Sequence, residues 1–139
     1  MGVTEDQLPA SQALSFAALG SAVPDIRGWV RIMMRELGRP DRSSDAELII
    51  SEFVTNAVHA APGEILKVTA VPDGVESILA VWDPGPGVPV VAADLLGDLE
   101  NDDFDRNGGR GLFLVMAVAT EWGYTPTPEN GGKWVWARL

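Results

Sequence analysis

Apolar positions along the chain recur with two different periods, and the switches between them outline its elements. Ala13 to Leu19 is a short apolar run ending at Gly20 and predicts a strand. Ile26, Val30, Met33, Met34 and Leu37 then return at helical spacing, with Pro24 near the start and Gly38-Arg39-Pro40 as the stop. A second helix is predicted from a cap at Ser43 or Ser44, with Asp45 and Glu47 in its first turn. It runs through Leu48, Ile49, Phe53, Val54, Ala57 and Val58 to about Ala60, where Pro62-Gly63 breaks it. Ile65 to Val71 and Val75 to Trp82 read as two strands joined by a hairpin turn at Pro72-Asp73-Gly74.

From Asp83 to Asn107 the periodicity disappears among Gly, Pro and acids, and a loop of this length inside a small domain is usually functional or mobile. Within it, Val90 to Leu99 is readable as a short helix. Gly108-Gly109-Arg110-Gly111 opens a third helix, Leu112 to Ala119. Glu121 to Tyr124 and Lys133 to Leu139 are the last two strands, with a turn through Pro126, Pro128 and Asn130-Gly131-Gly132 between them. Strands and helices are grouped rather than strictly alternating. The expectation is therefore an α+β fold, a two-layer α/β sandwich whose mixed, mostly antiparallel sheet carries helices on one face. Residues 13–139 form one domain in this reading, and the polar residues 1–12 a flexible N-terminal tail, loosest over Met1 to Pro9.

Composition narrows the function classes. The 139 residues suit a single domain with a true core. The absence of cysteine removes disulfides and thiolate metal sites, and a single histidine, His59, disfavours a zinc site or a His-based triad. A formal net charge of −10, from 10 Lys+Arg against 20 Asp+Glu, argues against direct nucleic-acid binding. It leaves polyanionic nucleotides possible where a pocket is locally positive or bridged by metal, and it suits either solubility or a basic protein partner. No apolar run reaches membrane-spanning length and no secretory pattern opens the chain, so a cytoplasmic protein is expected.

Three constellations carry candidate chemistry. Glu52 and Asn56 are spaced i, i+4 and share one face of an otherwise apolar helix. The Asn56 amide oxygen suits magnesium, and a carboxylate one turn away can orient or deprotonate a nucleophile; a solvent-facing pair on an amphipathic helix is the plainer alternative. Asp83-Pro84-Gly85-Pro86-Gly87 follows a strand, where a carboxylate can accept from an exocyclic amine and glycines permit close approach, but the same residues also make an ordinary strand-ending turn. Gly108, Gly109, Arg110 and Gly111 lead into Leu112 and the third helix, offering free N–H groups to phosphates, or else a hinge. There is no Lys-Ser/Thr of a P-loop, and a dinucleotide fold is poorly matched.

In this order the three segments resemble the boxes of the GHKL (Bergerat-fold) ATPase superfamily. Glu52–Asn56 is similar to its N box, Asp83–Gly87 to its first glycine box and Gly108–Leu112 to its second, with residues 88–107 falling at its ATP lid. The segment Ser51 to Val58 and the ending Gly132-Lys133-Trp134-Val135-Trp136-Ala137 further resemble the anti-sigma factor serine kinases and their actinobacterial relatives. The resemblance spans about residues 14 to 139. It implies that Asn56 coordinates Mg²⁺ bridging ATP phosphates and that Glu52 is the general base or positions the attacking hydroxyl. It implies that Asp83 reads the adenine amine beside Gly85 and Gly87, and that Gly108, Gly109, Gly111 and Leu112 hold phosphates with help from Arg110.

The implied partners are a sigma factor, an anti-sigma-factor antagonist phosphorylated on serine or threonine, and in some relatives a second copy as a homodimer. A histidine-kinase reading fits less well, because 139 residues leave no room for a separate helix pair carrying a phosphorylatable His. The alternative is a nucleotide-responsive or nucleotide-independent protein-binding module without kinase activity. It is motivated by the acids of residues 94–105, which repel phosphates, and by His59, which stands three residues after Asn56 and reads as a helix-end residue.

Overall fold

Both sides of the central strands are apolar, and they pack on different partners. The computed structural model describes residues 2–9, 12–85, 87 and 109–139. Its strands are β1 (Leu14–Ala17), β2 (Ile65–Asp73), β3 (Glu76–Asp83), β4 (Glu121–Thr127) and β5 (Gly132–Arg138), in the sheet order β1-β2-β3-β5-β4. Every pairing among the described residues is antiparallel. Successive side chains of a strand point to opposite faces. Leu79 and Val81 of β3, with Val135 and Ala137 of β5, therefore join the core under the helices, while Ile78, Ala80, Trp134 and Trp136 join a separate cluster on the other face.

The helices are α1 (Val23–Glu36), α2 (Ser43–Ala60) and α3 (Gly109–Val118). Helix α1 starts with Pro24, whose missing N–H costs nothing in a first turn. It buries Ile26, Val30 and Met34 as one stripe and ends at Gly38, whose φ of 74° an L side chain rarely adopts. Helix α2 buries Ala46, Ile49, Ile50, Phe53, Val54 and Ala57, and packs against both α1 and the sheet. Arg31 of α1 grips Glu47 of α2 through two hydrogen bonds of 2.7 and 3.2 Å. The α3 residues Leu112 and Val115 enter the same core. The carbonyl of Val118, at the end of α3, accepts from Arg42 at the start of α2. The expected α+β sandwich with helices on one sheet face is what forms.

Three local expectations change. The serine cap of α2 is not made: a 3-10 turn over Pro40–Arg42 runs straight into the helix, so Arg42 stands at the cap and Ser43 lies inside, its hydroxyl on Glu47. The hairpin turn falls at Gly74-Val75 rather than Pro72-Asp73-Gly74, with Pro72 and Asp73 paired to Ser77 and Glu76. Pro72 is tolerated there because β1 pairs only with residues Ile65–Val68 of β2, so no second neighbour needs its N–H.

The N-terminal segment also differs from a loose tail. Val3 and Leu8 are buried against Ile78, Ala80, Trp134 and Trp136, and the Val3 carbonyl accepts from the Thr125 hydroxyl. The reason is the second apolar face, which periodicity alone does not reveal as needing a cover. Two glycines make room for its indoles: a Cβ at Gly132 would stand 2.6 Å from the Trp82 ring, and one at Gly123 2.8 Å from the Trp136 ring. The lid region 88–107, including the short helix read over Val90–Leu99, and Gly108 lie outside the described residues.

Candidate functional site

Helix α2 carries the first pair. Glu52 and Asn56 sit one turn apart and are half-buried, although Phe53, Val54 and Ala57 around them are fully in the core. Burial raises the Glu52 carboxyl from its ordinary value by desolvating the charged form, the direction that favours a proton acceptor. His59 is exposed in the last turn of α2.

The end of that helix meets the turn after β3. A Cβ added at Gly85 would lie 3.1 Å from both the Cβ and the carbonyl oxygen of Ala60, and 2.9 Å from the Asp83 Oδ1 atom. Only glycine fits there without displacement. The Gly85 N–H donates to Asp83 Oδ1 at 2.7 Å, which folds the chain back over the carboxylate. Gly87 takes a φ of 87°, again a glycine conformation. The structure thus brings the Asn56 end of α2 up against Asp83 and Gly85, one turn of helix apart through Ala60.

The second glycine segment is placed by its helix. Gly109, Arg110 and Gly111 are the first three residues of α3 rather than a turn ahead of it. The N–H groups of Gly109 to Leu112 therefore belong to a first helical turn, whose donors have no partner within the helix. Leu112 itself is buried in the core shared with α2, which fixes where that helix starts.

One residue at the site is not singled out by sequence reasoning. Lys133 is the register partner of Asp83 across β3 and β5. Its ammonium donates to Asp83 Oδ2 at 3.3 Å and to the Gly85 carbonyl at 3.2 Å, and it is only 7 % exposed. Asp83 is as deeply buried, at 4 %. A buried charge is tolerated only when paired and hydrogen-bonded, and this pair meets both conditions. The available signal is alternation in Gly132-Lys133-Trp134-Val135-Trp136: if the tryptophans share one face, the lysine must turn into the other.

A family description, the histidine kinase-like ATPase domain, matches residues 16–139. The chain belongs to that family. No individual curated protein matches it. A histidine kinase-like ATPase domain implies ATP binding, usually with Mg²⁺, and the donors described above can be tested for fit. Mg²⁺ keeps several waters and takes one or two protein oxygens while bridging phosphates. The half-buried Asn56 side chain offers one amide oxygen of the kind such an ion takes. The close packing of Gly85 on Ala60 and on the Asp83 carboxylate fixes that carboxylate beside the end of α2.

A cavity of about 410 Å³ lies elsewhere, on the tryptophan face, lined by Trp82, Trp134, Lys67, Leu8 and neighbouring polar residues of the N-terminal segment. It is separated from Asp83 by the sheet, because Trp82 and Asp83 are consecutive and point to opposite faces. Among the described residues no helix is long and apolar enough to cross a membrane.

Proposed function

We propose that this histidine kinase-like ATPase domain binds Mg²⁺·ATP between α2, the β3–Gly87 turn and the start of α3, and uses it as a protein serine/threonine kinase that also sequesters a sigma factor. The observation that carries the reading is the half-buried pair Glu52 and Asn56, one turn apart at the helix end that abuts Asp83 and Gly85. In this proposal the Asn56 amide oxygen holds Mg²⁺. Asp83 accepts from the adenine amine while Gly85 and Gly87 leave room for the ring. The N–H groups of Gly108 to Leu112, with Arg110, receive the phosphates at a helix N-terminus.

Glu52, its carboxyl raised by burial, takes the proton from a substrate hydroxyl as that oxygen attacks the γ-phosphorus and ADP leaves. Catalysis of this type rests on positioning and charge neutralisation. The net charge of −10 suits a basic surface on the protein partner. A sigma factor and its antagonist place the reaction in the cytoplasm.

The test is transfer of labelled phosphate from ATP to serine or threonine of a cognate antagonist protein. Glu52→Ala is expected to lower the transfer rate at least about a hundredfold, the usual worth of general base catalysis, with ATP affinity little changed. Transfer that survives Glu52→Ala removes the catalytic assignment. ATP binding without any transfer makes the domain a nucleotide-responsive binding module. Ligand occupancy is checked by melting: at a hundredfold excess over Kd, Mg²⁺·ATP stabilises the fold by about 2.7 kcal/mol.

A further inference from the structure

Lys133 and Asp83 stand side by side at the base-reading end of the site, and we propose that the Lys133 ammonium reads the purine N1 position while Asp83 reads the amine beside it. The inference rests on the nucleotide-binding reading above. Strand register makes the two residues direct cross-strand partners, and alternation along β3 and β5 turns both to the helix face. The carboxylate is already held by the Gly85 N–H at 2.7 Å and by Lys133 at 3.3 Å. Each carboxylate oxygen retains a second lone pair, so it can still accept from an amine.

Among the described residues Lys133 uses two of its three N–H donors, one on Asp83 and one on the Gly85 carbonyl at 3.2 Å. The third donor has the Asp83 carboxylate as its immediate neighbour. An acceptor next to a donor is the complement of the adenine edge, where the N6 amine donates and the adjacent N1 accepts. Lys133 is thereby a specificity-determining residue of the base pocket and also the group that keeps Asp83 oriented. Neither function requires Lys133 to touch the phosphates or the transferred group.

The experiment compares ATP with 1-deaza-ATP, in which N1 is replaced by CH, by calorimetric Kd against the wild-type chain, Lys133→Met and Lys133→Gln. The expected result is that wild type binds 1-deaza-ATP about tenfold more weakly than ATP, the worth of one hydrogen bond from a charged group. Lys133→Met should bind the two nucleotides equally, a levelling that a merely structural lysine would not produce. Lys133→Gln, which keeps a neutral donor and is the variant to use where Lys133→Met does not fold, should show a smaller preference than wild type.

Equal affinity for both nucleotides in wild type overturns the assignment and leaves the ATP site standing. A tenfold preference that persists in both variants also overturns it, because another group then reads N1. Absence of any nucleotide binding by wild type removes the ATP site itself and this inference with it.

Discussion

The two faces of the sheet use the same strands for different ends. On the helix face the apolar positions of β3 and β5, Leu79, Val81, Val135 and Ala137, close a core and then give way at the strand ends to a buried ion pair, Asp83 and Lys133. On the other face the apolar run of β3 continues to Trp82 at this same end, from Ile78 and Ala80, with Trp134 and Trp136 opposite. That face is covered by a short segment through Val3 and Leu8. Both faces bury apolar area, but at the Asp83 end one carries a buried ion pair where the other carries indoles. The difference shows that the buried ion pair and the apolar cluster are separated here by the two-residue period of a strand, not by distance along the chain.

The largest expected effect on stability belongs to the tryptophan face. Trp136→Ala removes an indole that fills the space over Gly123 and donates to the Thr125 hydroxyl, and should cost about 3–5 kcal/mol in urea unfolding. The Kd for Mg²⁺·ATP of the folded variant should remain within a factor of two of wild type; a tenfold weakening would mean that the faces are coupled. Asp83→Ala comes next, at about 3 kcal/mol, because it strands the Lys133 ammonium in the interior. Unlike Trp136→Ala it should abolish nucleotide binding as well. The double variant Asp83→Ala, Lys133→Met should recover part of the stability and none of the binding, and failure to recover would show that the pair is not the source of the loss.

The smallest effect concerns Glu52 and is read as a pH dependence. Its folded pKa is raised by burial, so the folded chain keeps this proton in a range where the unfolded chain, titrating near 4.3, has lost it. Stability therefore declines as pH rises from the unfolded value through the folded one. Glu52→Gln escapes that decline and should melt slightly above wild type at pH 7, with the gap closing at pH 4. A gap of equal size at both pH values would trace the change to packing instead.

Much of this was legible in the chain because it depends on near neighbours. The i, i+4 spacing of Glu52 and Asn56 is a covalent consequence of helical geometry, and the stop at Gly38 follows from its backbone freedom. The cap of α2 was not legible, since Pro40–Arg42 coils into the helix and removes the role from Ser43. Nor was the hairpin turn, whose place is set by the β2–β3 register and allowed by the lack of a β1 partner for Pro72.

By itself the sequence determined the period of each element, the order of the three candidate segments and the two-layer class, all of which follow from local geometry and the need to bury one stripe or face. Tertiary structure decided which residues meet. Lys133 and Asp83 lie 50 residues apart, and only the β3–β5 register joins them. Val3 and Leu8 become core residues only because a second sheet face, built from strands far along the chain, has apolar area to hide from water. Such pairings depend on register and on area left over elsewhere, and neither quantity is written in any short stretch of the chain.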